Sequence, residues 1–152
     1  MELDISDITR KYWLPEHWAA LSKAQSVNEL YGIACSVIQQ MPQGEIVQVC
    51  GPIATGGRGS VETNLAYFNE SIKTLQANGL HVFDQMPFEK PMQQLKESIP
   101  GFRDTILDHF YLPILESGKI SELYFLPGWE TSFGAQWEHT QGKRLGIKIT
   151  YM

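Results

Sequence analysis

The chain has 152 residues, of which 43% are hydrophobic and 19% are charged, and its formal net charge is −5. This length and composition predict a single domain with a buried core, and an acidic balance without a Lys/Arg-rich block argues against nucleic acid polymers and membranes as partners. The N-terminus lacks the basic start and apolar run of a signal peptide, and no apolar stretch approaches the roughly 20 residues of a membrane span, so we expect a cytoplasmic protein.

The first 43 residues are predicted to form a helical extension ahead of an α/β core over residues 44–152. Residues 26–41 place an apolar stripe on one side of a helix, formed by Val27, Leu30, Ile33, Ala34, Val37, Ile38 and Met41. Ser26, with Glu29 three residues later, is the signature of a capping box at the start of that helix. The "MPQG" sequence then breaks the helix.

The rest of the chain alternates between strand-like and helix-like segments. Strands are predicted at residues 45–53, 80–88, 120–128 and 147–152, and helices at residues 61–79, 102–118 and 131–146. We expect Pro113 to kink the second helix, and residues 89–100 to form a connector or a short helix. The third helix is expected to begin at Thr131 or Ser132 and to end at Gly146. This alternation predicts a parallel sheet of at least four strands with helices on both faces, a flavodoxin-like or Rossmann-like three-layer α/β fold.

The sequence offers little that would bind a metal ion. Cys35 and Cys50 occur without a CxxC motif, and no two of the four histidines are spaced by four residues as on a helix. We therefore predict two buried thiols, no metal and no cofactor.

Three loops that follow predicted strands carry polar or glycine-rich sequence, at residues 51–60, 84–89 and 127–132. In an open parallel sheet, ligands bind beyond the carboxyl ends of the strands, so these loops should share one site. The first loop, "GPIATGGRGS", combines four glycines with Arg58, which suits an anionic ligand, although a merely flexible loop is equally consistent. In the second loop, Asp84 at the strand end is better placed to reach a ligand than Glu89.

The third loop leads into a helix that carries Glu138. Gly128 allows a sharp exit from the strand, and Trp129 offers a ring that could stack on a planar ligand. Gly134 lies four residues before Glu138, so both share one helical face and the glycine would leave space in front of the carboxylate. Helical periodicity alone nevertheless favours a surface position for Glu138.

Two motifs resemble a known family. "GPI" at residues 51–53 and "LPGWETSFGAQWEHTQGKRLGI" at residues 126–147 resemble the nucleoside 2-deoxyribosyltransferase-like superfamily, in particular a branch with the motif LPGW-x-x-S-x-G-A-x-x-E. The similarity covers roughly residues 45–151. It implies a parallel α/β fold, assembly as a homo-oligomer (dimer or tetramer), and cleavage or exchange of the N-glycosidic bond of a nucleoside or nucleotide.

The resemblance also implies roles for individual residues. Glu138 matches the nucleophile that attacks the anomeric carbon, and the substrate-binding positions would be Gly51, Pro52, Ile53, Gly56, Gly57, Arg58, Gly128, Trp129, Ser132 and Gly134. Arg58 would contact a phosphate group. The family commonly has Asp where this chain has Ser121, so the acid would come from Asp84, the favoured candidate, from Glu89 or from a neighbouring subunit.

Two other classes of function are open at this point. The same cleft could serve a non-catalytic nucleotide-binding or sensing domain, an alternative motivated by Ser121. An interaction protein could use Tyr12, Trp13 and Trp18 as a docking surface, although such aromatic residues are more often part of a core.

Overall fold

Four parallel strands form one sheet in the order β2-β1-β3-β4, with helices on both faces. The computed structural model describes residues 2–152. The strands are β1 (Ile46–Cys50), β2 (His81–Val82), β3 (Ile120–Phe125) and β4 (Lys148–Tyr151). The helices are α1 (Asp7–Arg10), α2 (Pro15–Lys23), α3 (Val27–Gln39), α4 (Val61–Ala77), α5 (Glu89–Lys96), α6 (Phe102–Ile106), α7 (Leu112–Glu116) and α8 (Phe133–Leu145). The predicted three-layer α/β fold is confirmed.

The alternation of side chains along β1 divides the core into two layers. Val47 and Val49 pack on the side of α4, in a cluster that includes Phe68 and Ile72. The other side of the strand packs in a larger cluster that includes residues of α3, α7 and the segment between α6 and α7. Gln48 therefore faces the same side as its neighbour Cys50, inside a strand in which all five residues are buried.

The predicted N-terminal helix starts and packs largely as expected. The Ser26 hydroxyl accepts a hydrogen bond from the Glu29 N–H (3.1 Å), whereas the Glu29 carboxylate accepts from the Gln25 N–H (3.2 Å) rather than from Ser26 as in a capping box. The apolar stripe of α3 is buried. Cys35, on the same helix, is only half-buried, which corrects the expectation of two buried thiols.

The N-terminal aromatic residues belong mainly to the core. The Trp13 ring stacks on Trp18 with centroids 4.3 Å apart and lies 5.4 Å from the Phe88 ring. Trp13 is 5% exposed, and Tyr12 and Trp18 pack against the same core while partly buried. Burial of Trp13 counts against the docking surface considered for these three residues.

β2 is much shorter than the predicted strand over residues 80–88. The Phe83 N–H still donates to the Val47 carbonyl (2.8 Å), but the Asp84 carboxylate then accepts from the Met86 N–H (2.9 Å). This local hydrogen bond forms an Asx-type turn, which competes with strand pairing. The chain continues as a 3₁₀ helix over Met86–Phe88 and enters α5 at once.

The predicted kink at Pro113 takes the form of a π-helical turn. Leu107–Tyr111 is π-helical, and the Leu112 N–H donates to the Leu107 carbonyl five residues back. Pro113 has no N–H for the His109 carbonyl, so the regular α-helical ladder cannot continue through this point. The turn lies between α6 and α7 and carries Tyr111.

α8 begins and ends where the sequence predicts. The Ser132 hydroxyl accepts from the Ala135 N–H (3.2 Å), and Gly146 ends the helix with φ 71°. Gly142 is packed closely on the sheet, since a Cβ there would lie 2.7 Å from Leu123 Cδ1. None of the helices within residues 2–152 has the length and apolar character needed to cross a membrane.

Candidate active site

A cavity of about 660 Å³ opens at the carboxyl ends of β1 and β3. Its inner part is formed by Gly51 after β1, by Ser132 and Glu138 of the α8 region, and by Glu89 and Tyr111. Apolar residues of α5, α6 and the π-helical turn, together with Phe68 of α4, form much of the remaining wall. The volume lies within the usual range for small-molecule sites.

Glu138 is buried at this cavity, with 7% of its surface exposed. Its Oε2 atom accepts a hydrogen bond from Gln48 Nε2 (2.9 Å) and a weaker one from the Cys50 thiol (3.2 Å). Burial raises the pKa of Glu138 to about 7, although both donors act to lower it. Gly134 also lines the cavity, and a Cβ at this glycine would meet nothing within 4 Å, which leaves space near the carboxylate.

Glu89, the first residue of α5, is the second buried carboxylate of the cavity. It is 7% exposed, and burial alone raises its pKa to about 7. Within residues 2–152, no side chain or backbone N–H donates a hydrogen bond to this carboxylate. Because no donor stabilises the charged form, nothing offsets the effect of burial, which favours the protonated carboxyl group.

Tyr111 lies close enough to both carboxylates to respond to their charges. Burial raises the pKa of its hydroxyl well above the usual value, and the charges of Glu89 and Glu138 raise it further, with a smaller effect from Cys50. The hydroxyl therefore stays protonated and can act as a hydrogen-bond donor in the cavity. Its position on the π-helical turn is typical of functional sites.

Two buried amide oxygens beside these groups have no protein partner among residues 2–152. Gln48 Oε1 and Gln85 Oε1 are both unpaired, while Gln85 Nε2 donates to the Val49 carbonyl (3.2 Å). Unpaired buried acceptors are uncommon in folded proteins and call for a partner. Gln85 lines the cavity, although its Oε1 atom is itself closed off from solvent.

The structure brings together Glu138 and four of the ten predicted substrate-binding positions. The predicted residues that line the cavity are Gly51, Ile53, Ser132, Gly134 and Glu138. Gly56 and Gly57 line a separate, shallower depression of about 540 Å³, together with Ser60, Asn64 and Thr131. Pro52 packs next to Gly57, where an added Cβ would lie 2.6 Å from Pro52 Cβ.

Asp84 does not reach the cavity, contrary to expectation. Its Oδ2 accepts from the Thr9 hydroxyl (2.8 Å), its Oδ1 accepts from the Met86 N–H, and the side chain is 3% exposed. The early turn after β2 directs this carboxylate towards the N-terminal segment. Gln85 and Glu89, one and five residues later, line the cavity in its place.

Arg58 and Trp129 also lie outside the cavity. The Arg58 guanidinium carbon is 3.9 Å from the centroid of the Tyr67 ring, and the Trp129 ring stacks on His139 at 4.3 Å. Gly128 has φ 86° and forms the sharp strand exit that was predicted, with the Trp129 N–H donating to the Leu126 carbonyl. That exit turns Trp129 towards β4 rather than towards a ligand.

Ser121 lies at the opposite end of the sheet from the cavity. Its hydroxyl donates to the Ile46 carbonyl (3.1 Å), and Ile46 is the first residue of β1. The cavity lies at the other end of this strand, where Gly51 follows its last residue. An acidic residue at position 121 would therefore lie beside the amino end of β1. The absence of Asp there leaves the chemistry of the cavity unchanged.

Several residues of the site were missed by sequence reasoning. Tyr111, Gln85, Lys96, Arg103 and Phe133 all line the cavity. Gln48 had a usable signal, because an amide in a strand that is otherwise apolar needs a polar partner. Within residues 2–152, no group of three or more His, Cys, Asp or Glu side chains could hold a metal ion.

Comparison with known proteins gives one match. Residues 46–151 match a protein-family model described as "Domain of unknown function (DUF4406)". The match begins with β1 and ends with β4, so it spans the whole sheet and well over half of the chain, and it excludes α1, α2 and α3. No curated protein and no solved structure matched the chain.

Proposed function

Since this chain belongs to the family described as a domain of unknown function, DUF4406, we propose its activity from the cavity itself: cleavage or exchange of the N-glycosidic bond of a nucleoside or nucleotide. The observation that carries the proposal is the pair of buried carboxylates, Glu138 and Glu89, that line one cavity with pKa values of about 7. Two such groups are what a glycosyl transfer through a covalent intermediate requires.

Glu138 is the nucleophile in this proposal. Gln48 and Cys50 hold one of its oxygens by hydrogen bonds, and the space next to Gly134 gives a sugar access to the carboxylate. The carboxylate attacks the anomeric carbon through an oxocarbenium-like transition state, so a C–O bond forms as the C–N bond to the base breaks. The resemblance to the nucleoside 2-deoxyribosyltransferase-like superfamily supports the same role.

Glu89 is the acid. The departing base carries away the electron pair of the C–N bond and needs a proton, which the Glu89 carboxyl group supplies. Its carboxyl oxygens accept no hydrogen bond within residues 2–152, so its proton is available to a ligand. In the second step the Glu89 carboxylate takes a proton from water as that water attacks the glycosyl ester of Glu138, or a second base takes the place of water and gives exchange.

Tyr111 and Gln85 complete the polar part of the cavity. The Tyr111 hydroxyl, which stays protonated beside the two carboxylates, can donate to a sugar oxygen or to Glu138 itself. Gln85 lines the same wall, and its side chain would have to turn before the buried Oε1 could accept a hydrogen bond from a ligand. These contacts would orient the anomeric carbon with respect to Glu138, which is a major source of rate enhancement.

The test is release of free base from a panel of nucleosides and nucleoside 5'-monophosphates. Wild type should release base from at least one member, Glu138→Gln should not, and Glu130→Gln should behave as wild type because Glu130 is exposed on the preceding turn. Mass spectrometry of the wild type under turnover should find a glycosyl group on Glu138. Equal activity of wild type and Glu138→Gln would overturn the proposal.

The alternative of a non-catalytic nucleotide-binding domain makes a different prediction in the same experiment. It expects saturable binding of a nucleotide by wild type without release of base. Ser121 no longer favours this alternative, because it lies beside the amino end of β1, away from the cavity.

A further inference from the structure

We propose that Lys96 and Arg103 bind a phosphate group of the substrate at the mouth of the cavity. The inference rests on the proposed function and narrows it to phosphorylated substrates. Lys96 is the last residue of α5, Arg103 is the second residue of α6, and both line the cavity. They are its two basic side chains within residues 2–152.

Both cations are available to a ligand. Lys96 is exposed and forms no ion pair in the part of the chain that the structure describes. Within residues 2–152, the one ion pair of Arg103 is a long contact from Nε to the exposed carboxylate of Asp104 (3.9 Å), a residue that also lines the cavity. Such an exposed pair contributes little binding energy, so a phosphate dianion can compete with it.

The Arg103 guanidinium is positioned before any ligand binds. Its central carbon lies 3.8 Å from the centroid of the Phe133 ring, and Phe133, at the start of α8, is 43% exposed and lines the cavity. Stacking on one face of the guanidinium leaves its N–H edges free for two parallel hydrogen bonds to phosphate oxygens. An arginine fixed in this way loses less conformational freedom when it binds.

The anion-binding residues predicted from sequence are engaged elsewhere. The Arg58 guanidinium lies over Tyr67, outside the cavity. In the glycine-rich loop, the Gly57 N–H donates to Thr131 Oγ1 (2.8 Å) and the Arg58 N–H donates to Asn64 Oδ1 (2.8 Å). These two amides are therefore already satisfied and do not form an open cradle for phosphate.

The distribution of charge also fixes the direction in which the ligand lies. Glu138 and Glu89 lie among the buried groups of the cavity, where an anion would be repelled whenever either is ionised. Lys96 and Arg103 lie on its exposed rim. A phosphorylated nucleoside would thus place its glycosidic bond at the carboxylates and its phosphate at the rim.

Calorimetric titration tests this site with three probes: a nucleoside 5'-monophosphate, the same nucleoside without phosphate, and inorganic phosphate. The monophosphate should bind the wild type roughly ten- to a hundredfold more tightly than the nucleoside, as expected for charge-assisted hydrogen bonds. Arg103→Gln and Lys96→Gln should each reduce the ratio of the affinity for the monophosphate to that for the nucleoside. Arg103→Lys should retain part of this ratio. Arg58→Gln is the matched control and should keep the full ratio.

Two outcomes would overturn the site: equal affinity of wild type for the nucleoside and its monophosphate, or loss of the ratio in Arg58→Gln instead of Arg103→Gln. Binding of inorganic phosphate that persists in the Lys96→Gln, Arg103→Gln double variant would overturn it as well. Failure of the proposed function would look different. If the monophosphate binds more tightly than the nucleoside but no base is released, the phosphate site stands and the enzymatic activity is rejected.

Discussion

Glu138 and Glu89 reach the same pKa of about 7 by different routes. Glu138 lies within a helix and is held by two donors from β1, whereas Glu89 begins a helix and has no donor within residues 2–152. The donors fix one carboxylate in place for attack, and their absence leaves the other free to give its proton to a ligand. Hydrogen bonding, rather than depth of burial, therefore assigns nucleophile and acid in our proposal.

The largest expected difference between the two carboxylates concerns the leaving group. Glu138→Gln should lower kcat/KM by about 10³-fold or more on any glycoside, because no nucleophile remains. Glu89→Gln should lower it by about 10²- to 10⁴-fold on a nucleoside but far less on a nitrophenyl glycoside, whose leaving group needs no proton. Steady-state kinetics on both substrates measures the difference. Identical profiles of the two variants would erase the distinction between acid and nucleophile.

The next effect concerns stability, which should fall as pH rises. Folding raises the pKa of each carboxyl group from about 4.3 in an unfolded chain to about 7, so the folded protein binds more protons between these values and its free energy of unfolding falls with increasing pH. Each group should contribute a loss on the order of 3 kcal/mol by about pH 8.

Urea unfolding at about pH 5 and about pH 8 measures this loss. Glu138→Gln and Glu89→Gln should each be more stable than wild type at the higher pH and close to it at the lower pH. Exposed Glu130 supplies the control, since Glu130→Gln should leave the pH dependence unchanged. A wild type whose stability is constant over this range would contradict the raised pKa values.

A smaller effect should separate the donors from the burial. The hydrogen bond from Gln48 Nε2 lowers the pKa of Glu138. Gln48→Leu removes this bond, so the pKa of Glu138 should rise further. NMR titration of the side-chain carboxyl carbons should show the pKa of Glu138 about one pH unit higher than in wild type, while the pKa of Glu89 stays in place. Gln136→Leu, an exposed change on the same helix, should move neither pKa. An unchanged pKa of Glu138 in Gln48→Leu would contradict the effect ascribed to this hydrogen bond.

The smallest effect is expected at Trp129. Because its ring stacks on His139 and does not line the cavity, Trp129→Leu should leave KM unchanged while it lowers stability by about 1 kcal/mol. Phe133→Leu is the comparison, since Phe133 lines the cavity under Arg103 and its loss should raise KM for a phosphorylated substrate. An increased KM in Trp129→Leu would indicate that the Trp129 ring contacts the ligand.

The fold was predictable because each of its signals is local. Alternating apolar segments gave the parallel sheet, Ser132 and Gly146 gave both ends of α8, and Pro113 gave the irregular turn. The length of β2 was wrong because a single hydrogen bond, from the Met86 N–H to Asp84, ends the strand early. Propensity describes a strand-like segment well but does not describe such a competing turn.

The site was predictable only in part, because burial depends on distant segments. Periodicity favoured a surface position for Glu138, and only the family resemblance singled it out; its burial depends on β1 and on the helices around the cavity. The segment between β2 and β3 contains Glu89, Arg103 and Tyr111. Its local sequence pattern does not predict which side chains will face the cavity. The lesson of Asp84 is similar, since its partner Thr9 is 75 residues away in sequence.

The contacts of the N-terminal segment have a consequence for any dissection of this protein. The family match starts at residue 46, yet the hydroxyl that pairs with the Asp84 carboxylate comes from Thr9 and the ring beside Phe88 comes from Trp13. A fragment limited to the matched region would bury a carboxylate without that partner and bare an aromatic surface just before Glu89. We therefore expect a fragment of residues 46–151 to be less stable than the whole chain.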